Sequence, residues 1–283
     1  MIVESNVHGA ISIVNAIATG NGATLGIDTF VKTRLETKDG NGIYITADNK
    51  TISSRLINRV IQNSVPKKQL EKIRLELDFE SNIPTGYGLK SSSAISTGVV
   101  MACSKAFNRK LTDKQILKIG VQSSIESKVS ITGAYDDACG CYYGGFNVTN
   151  NYKRNLVFRH PAPNNLQAVI FLPKSRKRGN VKNLKNFKSA FEKAWELAKN
   201  NDYWNASILN GIATSSILNS SPELIFKLIE KGAISATISG NGPSIVAIIK
   251  KGHYSHIKKE FSSLEGNIII SNINNKKAEV HEV

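Results

Sequence analysis

The sequence predicts an α+β fold in two parts. Three observations indicate it: segments in which apolar residues alternate, segments with an apolar stripe at helical spacing, and an order that mixes them without a strict β-α repeat. With 283 residues, 41% of them hydrophobic and 21% charged, the chain has the composition of a globular protein with a substantial core. The composition changes around the segment HPAPNN, so we place an N-terminal domain at residues 1–160 and a C-terminal domain at residues 161–283.

The N-terminal part begins as strand, loop, strand. Residues 11–36 open with a short apolar stretch, pass through a glycine-rich loop, ATGNGATLGID, and continue as a second strand, TFVKTRLET. A helix is predicted from Ser53 to Asn63, after a polar, hairpin-like section. The segment KIRLELDF then alternates as a half-buried strand does, and it leads into NIPTGYGLKSSSAISTGVVMACSKAF, whose apolar stripe from Ile95 onward predicts a helix.

A further helix and an acidic turn follow. Thr112 and Gln115 have the spacing of a capping box, so a helix should begin there and end near Glu126. The segment after it, ITGAYDDACGCYYGGF, is rich in glycine and contains two adjacent aspartates. We expect it to form a turn.

The C-terminal part repeats the mixture of strands and helices. It contains a strand LQAVIFLP, a basic segment, and two long helical stretches over about residues 186–219. Ser221, Pro222 and Gly232 mark the two ends of one more helix. Two strands, ISATIS and SIVAII, flank GNGP, and a helix and the strand NIIIS close the part.

The charge balance predicts an anionic partner. Thirty-seven Lys and Arg against 22 Asp and Glu give a net charge of +15. Proteins that bind single-stranded nucleic acid place aromatic side chains among their basic ones, whereas the densest basic segment, PKSRKRGNVKNLKNFK, offers only Phe187. A solvated basic surface, or a surface that attracts a small anion, therefore explains the charge at least as well as nucleic acid does.

Targeting, membrane and metal signals are weak in this sequence. The first thirty residues lack the pattern of a signal peptide, and no run approaches the roughly 18 apolar residues of a membrane helix. We therefore expect a cytoplasmic protein without membrane attachment. Cys103, Cys139 and Cys141 lack the spacing of a zinc site, so we expect reduced thiols and no structural metal.

The segment PTGYGLKSSSA has the chemistry of a phosphate site. N–H groups at a helix start are unpaired and carry the positive end of the helix dipole. Gly86 and Gly88 permit a tight turn, the serines at 91–93 add hydroxyls, and Lys90 adds a positive charge. The alternative is an ordinary turn whose serines cap the helix.

Several segments carry a resemblance to a known family. PTGYGLKSSSA resembles the phosphate-loop motif P-x-x-x-G-L-G-S-S-A of the GHMP kinases, the superfamily of galactokinase, homoserine kinase, mevalonate kinase and phosphomevalonate kinase. ISGNGPSIVAI resembles the third motif of that superfamily, and TGAYDDACGCYYGG resembles the segment with its catalytic acidic residue. The opening, HGAISIVNAIATGNGATLGID, departs from the usual first motif P-G-x-x-x-x-x-G-E-H. Together with GLKSSSA and TGAYDDACG it is similar to the archaeal type of shikimate kinase.

The resemblance implies a fold and a reaction. The fold would be that of a GHMP kinase, with an N-terminal ATP-binding α+β domain and a C-terminal α/β-sandwich domain. The reaction would be transfer of a phosphoryl group from ATP, with Mg²⁺, to the 3-hydroxyl of shikimate, which gives shikimate 3-phosphate and ADP in the pathway to chorismate and the aromatic amino acids. Homoserine kinase is the alternative inside the superfamily. A non-enzymatic, basic nucleic-acid-binding protein is the alternative outside it.

The resemblance also implies site residues. The nucleotide phosphates would be bound by Pro84, Gly86, Gly88, Leu89, Lys90, Ser91, Ser92, Ser93 and Ala94. Ser92 and Glu126 would hold Mg²⁺, which prefers a few protein oxygens beside waters and phosphate oxygens. Lys90 replaces the superfamily's usual glycine, and it either neutralises phosphate charge during catalysis or points to solvent.

Asp137 is the expected acid-base residue, with the part that an aspartate has in protein kinases. Counted without a gap, its distances in sequence from Glu126 and to the glycine pair at 144–145 match those of the family. Asp136 remains the alternative.

The acceptor would need polar groups and a cation for its carboxylate. Asn15 and Thr19 could face it from the first strand and loop, and Gly240 and Asn241 from the third motif. Arg176, or alternatively Lys174, could bind the carboxylate, because a guanidinium forms two parallel hydrogen bonds with such a group.

Overall fold

The computed structural model describes residues 1–47, 52–130, 132–177 and 179–283, which form two β-sheets with helices packed against them. The N-terminal elements are β1 (Ile2–Val14), β2 (Asn21–Asp39), β3 (Ile43–Ala47), α1 (Ser54–Ser64), α2 (Lys67–Leu70), β4 (Ile73–Ser81), α3 (Ser91–Ala106), α4 (Asp113–Glu126), α5 (Tyr135–Tyr143), β5 (Phe146–Asn150) and β6 (Asn155–His160). The C-terminal elements are β7 (Leu166–Pro173), a 3-10 helix (Val181–Phe187), α6 (Lys188–Lys199), α7 (Tyr203–Ile217), α8 (Pro222–Glu230), β8 (Ser235–Ile238), β9 (Ile245–Lys250), α9 (Ser255–Ser262), β10 (Gly266–Asn272) and β11 (Glu279–Glu282). The predicted α+β class is confirmed.

The larger sheet belongs mainly to the N-terminal half. Within the described ranges its main path runs β11-β1-β2-β4-β3, and β5 pairs with both β2 and β6. β1 and β2 form a long antiparallel pair, whereas β3 runs parallel to β4. The alternating side chains Leu75, Leu77 and Phe79 of β4 are buried, as their spacing predicts.

Helix α3 is the central helix of this half. It packs against β1 and β2 and against α1, α4 and α5. Every residue from Ser93 to Ser104 is buried, and a Cβ at Gly98 would lie 2.8 Å from the Thr33 hydroxyl oxygen. Since a helix enclosed on all sides has little freedom to move, the loop in front of it is held firmly in place.

The smaller sheet has the order β10-β7-β9-β8 and is antiparallel throughout. Helices α7 and α8 pack on β8, and α9 packs on β7 and β10. The rings of Phe171 and Phe261 stack in its core with centroids 5.2 Å apart. Its β8–β9 turn carries the sequence GNGP towards the N-terminal half.

The predicted glycine-rich loop is mostly strand, so that prediction was wrong. The turn covers residues 16–20, and β2 already begins at Asn21. A Cβ at Gly22 would lie 2.5 Å from a carboxylate oxygen of Asp136, and one at Gly26 would lie 2.7 Å from the Gly144 Cα. The glycines therefore mark a close approach of α5 to the strand rather than a loop.

The predicted acidic turn is a helix, α5. Most of its residues are buried against β1, β2, β5 and α3, and its N-cap, Ala134, makes no capping hydrogen bond through its side chain. Tertiary packing rather than a local signal therefore explains the helix, which is why sequence patterns missed it. The same holds for the short strand β11, which the sequence analysis did not include.

The strands change sheet between β6 and β7, close to residue 160. β11 nevertheless returns to the larger sheet and pairs with β1, so residues 279–282 lie with the N-terminal half. The division into residues 1–160 and 161–283 therefore stays a prediction.

Two further observations concern the chain as a whole. Cys103, Cys139 and Cys141 are free thiols, as predicted, and all three are buried. Among the helices in the described part of the chain, none is long and apolar enough to cross a membrane.

Candidate active site

Segments that are distant in sequence meet around one cavity of about 320 Å³. They are the end of β1, the loop before α3, the connection from α4 into α5, and the β8–β9 turn. The lining residues are Ser12, Asn15, Ala16, Ile17, Pro84, Thr85, Gly86, Gly88, Leu89, Lys90, Ser91, Ser92, Ser93, Ser124, Val129, Ser130, Thr132, Ala134, Asp136, Asp137, Gly240 and Asn241. The cavity therefore brings together most residues of the predicted phosphate loop and both candidate aspartates. Ala94 is buried just behind them.

The loop before α3 has the shape that its glycines permit. Gly86 and Gly88 have φ of 82° and 81°, which side chains rarely adopt. A Cβ at Gly88 would collide with the carbonyl oxygen of Ser239, so this glycine also lets the β8–β9 turn approach. The N–H groups of the first turn of α3 have no partner within the helix, and they open towards the cavity.

Lys90 is the N-cap residue of α3 and lies in the left-handed region, with φ 70°. Its side chain is only 4% exposed, and Nζ lies 2.8 Å from Asp137 Oδ1 and donates to Ser12 Oγ at 2.8 Å. Burial alone would lower the pKa of Lys90, but the carboxylates of Asp137 and Asp136 outweigh burial and raise it. Of the two alternatives for Lys90, the one in which it points to solvent is therefore excluded, and the ammonium stays charged beside Asp137.

The two aspartates on the first turn of α5 have different environments. Asp137 is 21% exposed and faces Lys90. Asp136 is 4% exposed, and its Oδ1 accepts a hydrogen bond from Asn151 Nδ2 at 2.7 Å. Burial, together with the neighbouring Asp137 carboxylate, raises the pKa of Asp136 to about 7. Of the two, Asp137 is the one paired with a cation inside the cavity.

Hydrogen bonds tie the β8–β9 turn to the other segments. Ser12 N–H donates to Ser239 Oγ at 3.1 Å, and Ser239 Oγ donates to the Gly88 carbonyl at 2.7 Å. Ser12 Oγ accepts from Gly240 N–H at 3.0 Å as well as from Lys90. Ser12 and Ser239 thus connect the end of β1, the glycine-rich loop and the β8–β9 turn.

The predicted acceptor residues are only partly brought together. Asn15 lines the cavity, and its Nδ2 donates to the Gly240 carbonyl at 2.7 Å and to Asn241 Oδ1 at 3.5 Å. Thr19 does not line it, because its hydroxyl closes a local turn by accepting from Asn21 N–H at 3.0 Å.

The two candidate cations for the acceptor's carboxylate have different positions. Arg176 is exposed and is not among the residues that line the cavity, although its guanidinium carbon lies 4.8 Å from the centre of the Tyr87 ring and its Nη1 lies close to Gly86. Lys174 is exposed and lies 3.8 Å from a carboxylate oxygen of Glu265.

The two predicted metal ligands lie apart. Ser92 is exposed at the mouth of the cavity, where its hydroxyl could reach a metal bound to phosphate. Glu126 does not line the cavity, and its carboxylate accepts from Asn63 Nδ2 at 2.9 Å and Gln122 Nε2 at 2.8 Å and lies 3.6 Å from Arg59 Nε. Within the described residues there is no cluster of three or more metal-binding side chains. The site fits a Mg²⁺ that arrives with ATP and takes one hydroxyl ligand, but not a Ser92–Glu126 pair.

Ser12, Ser239 and Asn151 are site residues that the sequence analysis missed. Ser12 lies between the buried Ile11 and Ile13 of β1, so alternation could have placed it on the opposite face. No motif marks Asn151, which follows β5 and reaches α5 only in the folded chain.

Comparison with known families agrees with this geometry. The model for the family described as "GHMP kinases N terminal domain" matches residues 55–145, which include the loop before α3 and the aspartates of α5. The match therefore covers both the predicted phosphate loop and the two candidate acid-base residues.

Relatives of known name match nearly the whole chain. The shikimate kinase of Methanosarcina acetivorans is 36% identical over 284 residues, which cover 95% of this chain and 93% of that protein. The shikimate kinase of Pyrococcus furiosus is 34% identical, with coverage of 84% and 88%. A third shikimate kinase, of Methanothermobacter thermautotrophicus, is 29% identical over the full length of both chains.

Solved structures agree in fold. Homoserine kinase from Cytophaga hutchinsonii superposes with a TM-score of 0.75 at 20% identity and covers 98% of this chain and 97% of that one. Mevalonate kinase from Methanococcus jannaschii also has a TM-score of 0.75, at 17% identity, with coverage of 97% and 98%. At such low identity these two likenesses concern the fold alone. The relatives and the fold together establish that the chain belongs to the GHMP kinase family and, within it, to the group that contains the archaeal shikimate kinases.

Proposed function

We propose that this protein phosphorylates the 3-hydroxyl of shikimate with ATP and releases shikimate 3-phosphate and ADP. The identity of 36% to a shikimate kinase over nearly the whole chain supports the acceptor. One structural observation carries the chemistry: Lys90 Nζ and Asp137 Oδ1 lie 2.8 Å apart in a cavity walled by the glycine-rich loop and the start of α3. A carboxylate held beside a phosphate site suits transfer to a hydroxyl.

The loop and the start of α3 bind the nucleotide phosphates in this proposal. Gly86 and Gly88 let the backbone wrap closely, and the first-turn N–H groups of α3 donate to phosphate oxygens. Ser92 supplies a hydroxyl oxygen for Mg²⁺. When bound, Mg²⁺ neutralises charge on the transferring phosphoryl group.

Asp137 and Lys90 act on the acceptor hydroxyl. The Lys90 ammonium lies 2.8 Å from Asp137 Oδ1 and holds this carboxylate in the cavity, where it can accept a hydrogen bond from the hydroxyl and take its proton. The hydrogen bond that Lys90 Nζ donates to Ser12 Oγ also holds the ammonium in place. Asn15, Gly240 and Asn241 supply polar groups for the remaining part of the acceptor.

ADP release tests this function. Mg·ATP is supplied with shikimate, homoserine, mevalonate or galactose in separate reactions, and the product is identified by ³¹P NMR. We expect release with shikimate alone and a phosphomonoester at its 3-oxygen. Release with homoserine and not shikimate would assign a different acceptor, and release with none of the four would contradict the proposal.

Ser92→Ala should weaken the use of Mg·ATP. The variant loses the hydroxyl that we place on Mg²⁺, so a higher Mg²⁺ concentration should be needed for half-maximal rate, and the rise in Tm caused by Mg·ATP should shrink. The Tm measurement detects the binding of Mg·ATP without any turnover. Ser262→Ala, at an exposed serine of α9, is the matched control and should behave like the wild type. An unchanged Mg²⁺ dependence and Tm shift in Ser92→Ala would remove Ser92 from the metal site.

Arg176→Ala tests the proposed contact with the acceptor's carboxylate. Loss of a charge-assisted pair of about 1.5–3 kcal/mol should raise KM for shikimate by roughly 10- to 100-fold and leave KM for ATP unchanged. Lys174→Ala should leave both KM values unchanged, since that exposed lysine lies beside Glu265. A selective rise in KM for ATP would instead place the Arg176 guanidinium on the nucleotide phosphates.

A further inference from the structure

The first turn of α5 has no capping side chain of its own. Its N-cap, Ala134, adopts φ 52° and has a side chain that cannot accept a hydrogen bond. The N–H of Asp136 is one of the donors that a helix start leaves without a helical partner, and it donates to Asn151 Oδ1 at 3.0 Å. Asn151 lies 15 residues further along the chain, so the cap comes from another element.

The same amide holds the side chain of Asp136. Asn151 Nδ2 donates to Asp136 Oδ1 at 2.7 Å. The carboxylate also packs on Gly22 of β2, where a Cβ would come within 2.5 Å of Asp136 Oδ2. A rotation of this helical turn would therefore break two hydrogen bonds to Asn151 and press the carboxylate against the strand.

Asn151 is itself fixed in place. It is 2% exposed, and its N–H donates to the Gly20 carbonyl at 2.7 Å. Its Oδ1 also accepts from the Thr149 hydroxyl at 3.0 Å. These two hydrogen bonds between Asn151 and Asp136, here called the clamp, are thus anchored at the end of β5 and at the turn before β2, next to two strands of the larger sheet.

We infer that Asn151 is a positioning residue, which holds the first turn of α5 so that the Asp137 carboxylate stays within ion-pair distance of Lys90. Asp137 follows Asp136 directly, and its 2.8 Å contact with Lys90 depends on the orientation of that turn. Asn151 acts through the helix and does not line the cavity. The inference rests on the proposed function, because it takes Asp137 to be the acid-base residue.

The pKa of Asp136 depends on its hydrogen bond from Asn151, so a titration of Asp136 tests the clamp. The groups that face it are Asp137 on the same turn, Lys90 from the loop before α3, and the buried thiols of Cys139 and Cys141. Burial raises the pKa of Asp136, whereas the hydrogen bond from Asn151 lowers it. Loss of the amide should therefore raise that pKa further, a change that general loosening of the fold would not produce.

Asn151→Ala is compared with Asn150→Ala. Asn150 is the adjacent residue of the same type, but its amide donates to Asn21 Oδ1 at 2.7 Å and has no bond to Asp136. With shikimate and Mg·ATP, Asn151→Ala should lower kcat by about 100-fold and leave KM for ATP unchanged, because a small displacement of a reacting group has that effect.

In ¹³C NMR of aspartate-labelled protein, the carboxyl with the raised pKa should titrate at higher pH in Asn151→Ala and at the wild-type pH in Asn150→Ala. Equal kcat and equal titration in the two variants would overturn the inference.

Asn151→Asp tests the same clamp with a side chain of equal size and decides the case if the alanine variant does not fold. The new carboxyl shares one proton with Asp136, whose pKa is already raised, and that proton can remake the missing bond; above the raised pKa of the pair the two carboxylates repel each other. Its kcat relative to the wild type should therefore fall as the pH rises above neutrality, and a ratio that stays flat would contradict the clamp. Wild-type protein that releases no ADP with shikimate would refute the proposed function alone, since the NMR titration tests the clamp without any acceptor.

Discussion

Asp137→Asn is expected to lower kcat by about 10²–10⁴-fold, the range that loss of a general acid-base group causes. The asparagine keeps the size of the side chain and can still accept a hydrogen bond from Lys90, but it cannot take the proton of the acceptor hydroxyl. The phosphates are bound by the loop and the start of α3, so the Kd of Mg·ATP should remain close to that of the wild type. Steady-state kinetics with shikimate measure kcat, and calorimetric titration measures the Kd.

Asp136→Asn is the matched comparison, because the same change is made one residue earlier. Asp136 is hydrogen-bonded to Asn151, and among the described residues it has no cation at ion-pair distance, so its replacement should reduce kcat less than the replacement of Asp137. A larger loss of kcat in Asp136→Asn than in Asp137→Asn would indicate that Asp136 is the acid-base residue. A kcat in Asp137→Asn within tenfold of the wild type would remove that role from Asp137.

Lys90→Met is expected to lower both activity and stability. The change leaves the Asp137 carboxylate in the cavity without its partner, and breaking a buried ion pair by removing one member costs about 3–5 kcal/mol of folding free energy. Because Asp137 is one-fifth exposed and water can reach it, we expect the lower end of that range. Without the ammonium, the Asp137 carboxylate also loses the contact that holds it in place, so kcat should fall as well.

The loss of stability should depend on pH in a defined direction. Lys90 has a folded-state pKa above its ordinary value of 10.5, so its stabilising contribution is complete at neutral pH and disappears only as the pH rises through that raised value. Asp136 has a pKa raised from 3.8 to about 7, which means that folding becomes less favourable as the pH rises through this interval. Removal of the Lys90 charge raises the pKa of Asp136 further. The Tm difference between Lys90→Met and the wild type should therefore stay constant below about pH 7 and grow above it.

Two other variants test whether the losses in Lys90→Met come from removal of the ammonium. Lys118→Met makes the same change at an exposed position of α4 and should match the wild type in both kcat and Tm. Lys90→Gly removes the ammonium but suits the left-handed backbone at this position, so it should lose activity with a smaller loss of Tm than Lys90→Met. Wild-type kcat in Lys90→Gly would show that the ammonium has no part in turnover.

Patterns with a strong local cause were predictable from the sequence. The capping box of Thr112 and Gln115 opens α4, and alternation along β4 buries Leu75 and Leu77. Ser221 and Pro222 open α8 as their types predict. In each case the residues that decide the element are neighbours in the chain, so their preferences can be read without knowledge of the fold.

Elements that depend on contacts between distant segments were not predictable in this way. β2 continues through glycines because α5 lies directly on it, and α5 forms although its N-cap, Ala134, gives no local signal. Glu126 has the sequence interval of a metal ligand, yet its carboxylate accepts hydrogen bonds from Asn63 and Gln122 outside the cavity. A position in the chain does not specify the direction of a side chain.

By itself, the sequence determined the α+β class, the phosphate loop before α3, the two aspartates of α5 and the resemblance to archaeal shikimate kinases. Only the tertiary structure decided that Lys90 turns inward to Asp137, that Ser12 holds it there, and that Asn151 clamps Asp136. The physical reason is that a motif is a property of neighbouring residues, whereas charge pairing and burial depend on which distant groups the fold brings within about 3 Å.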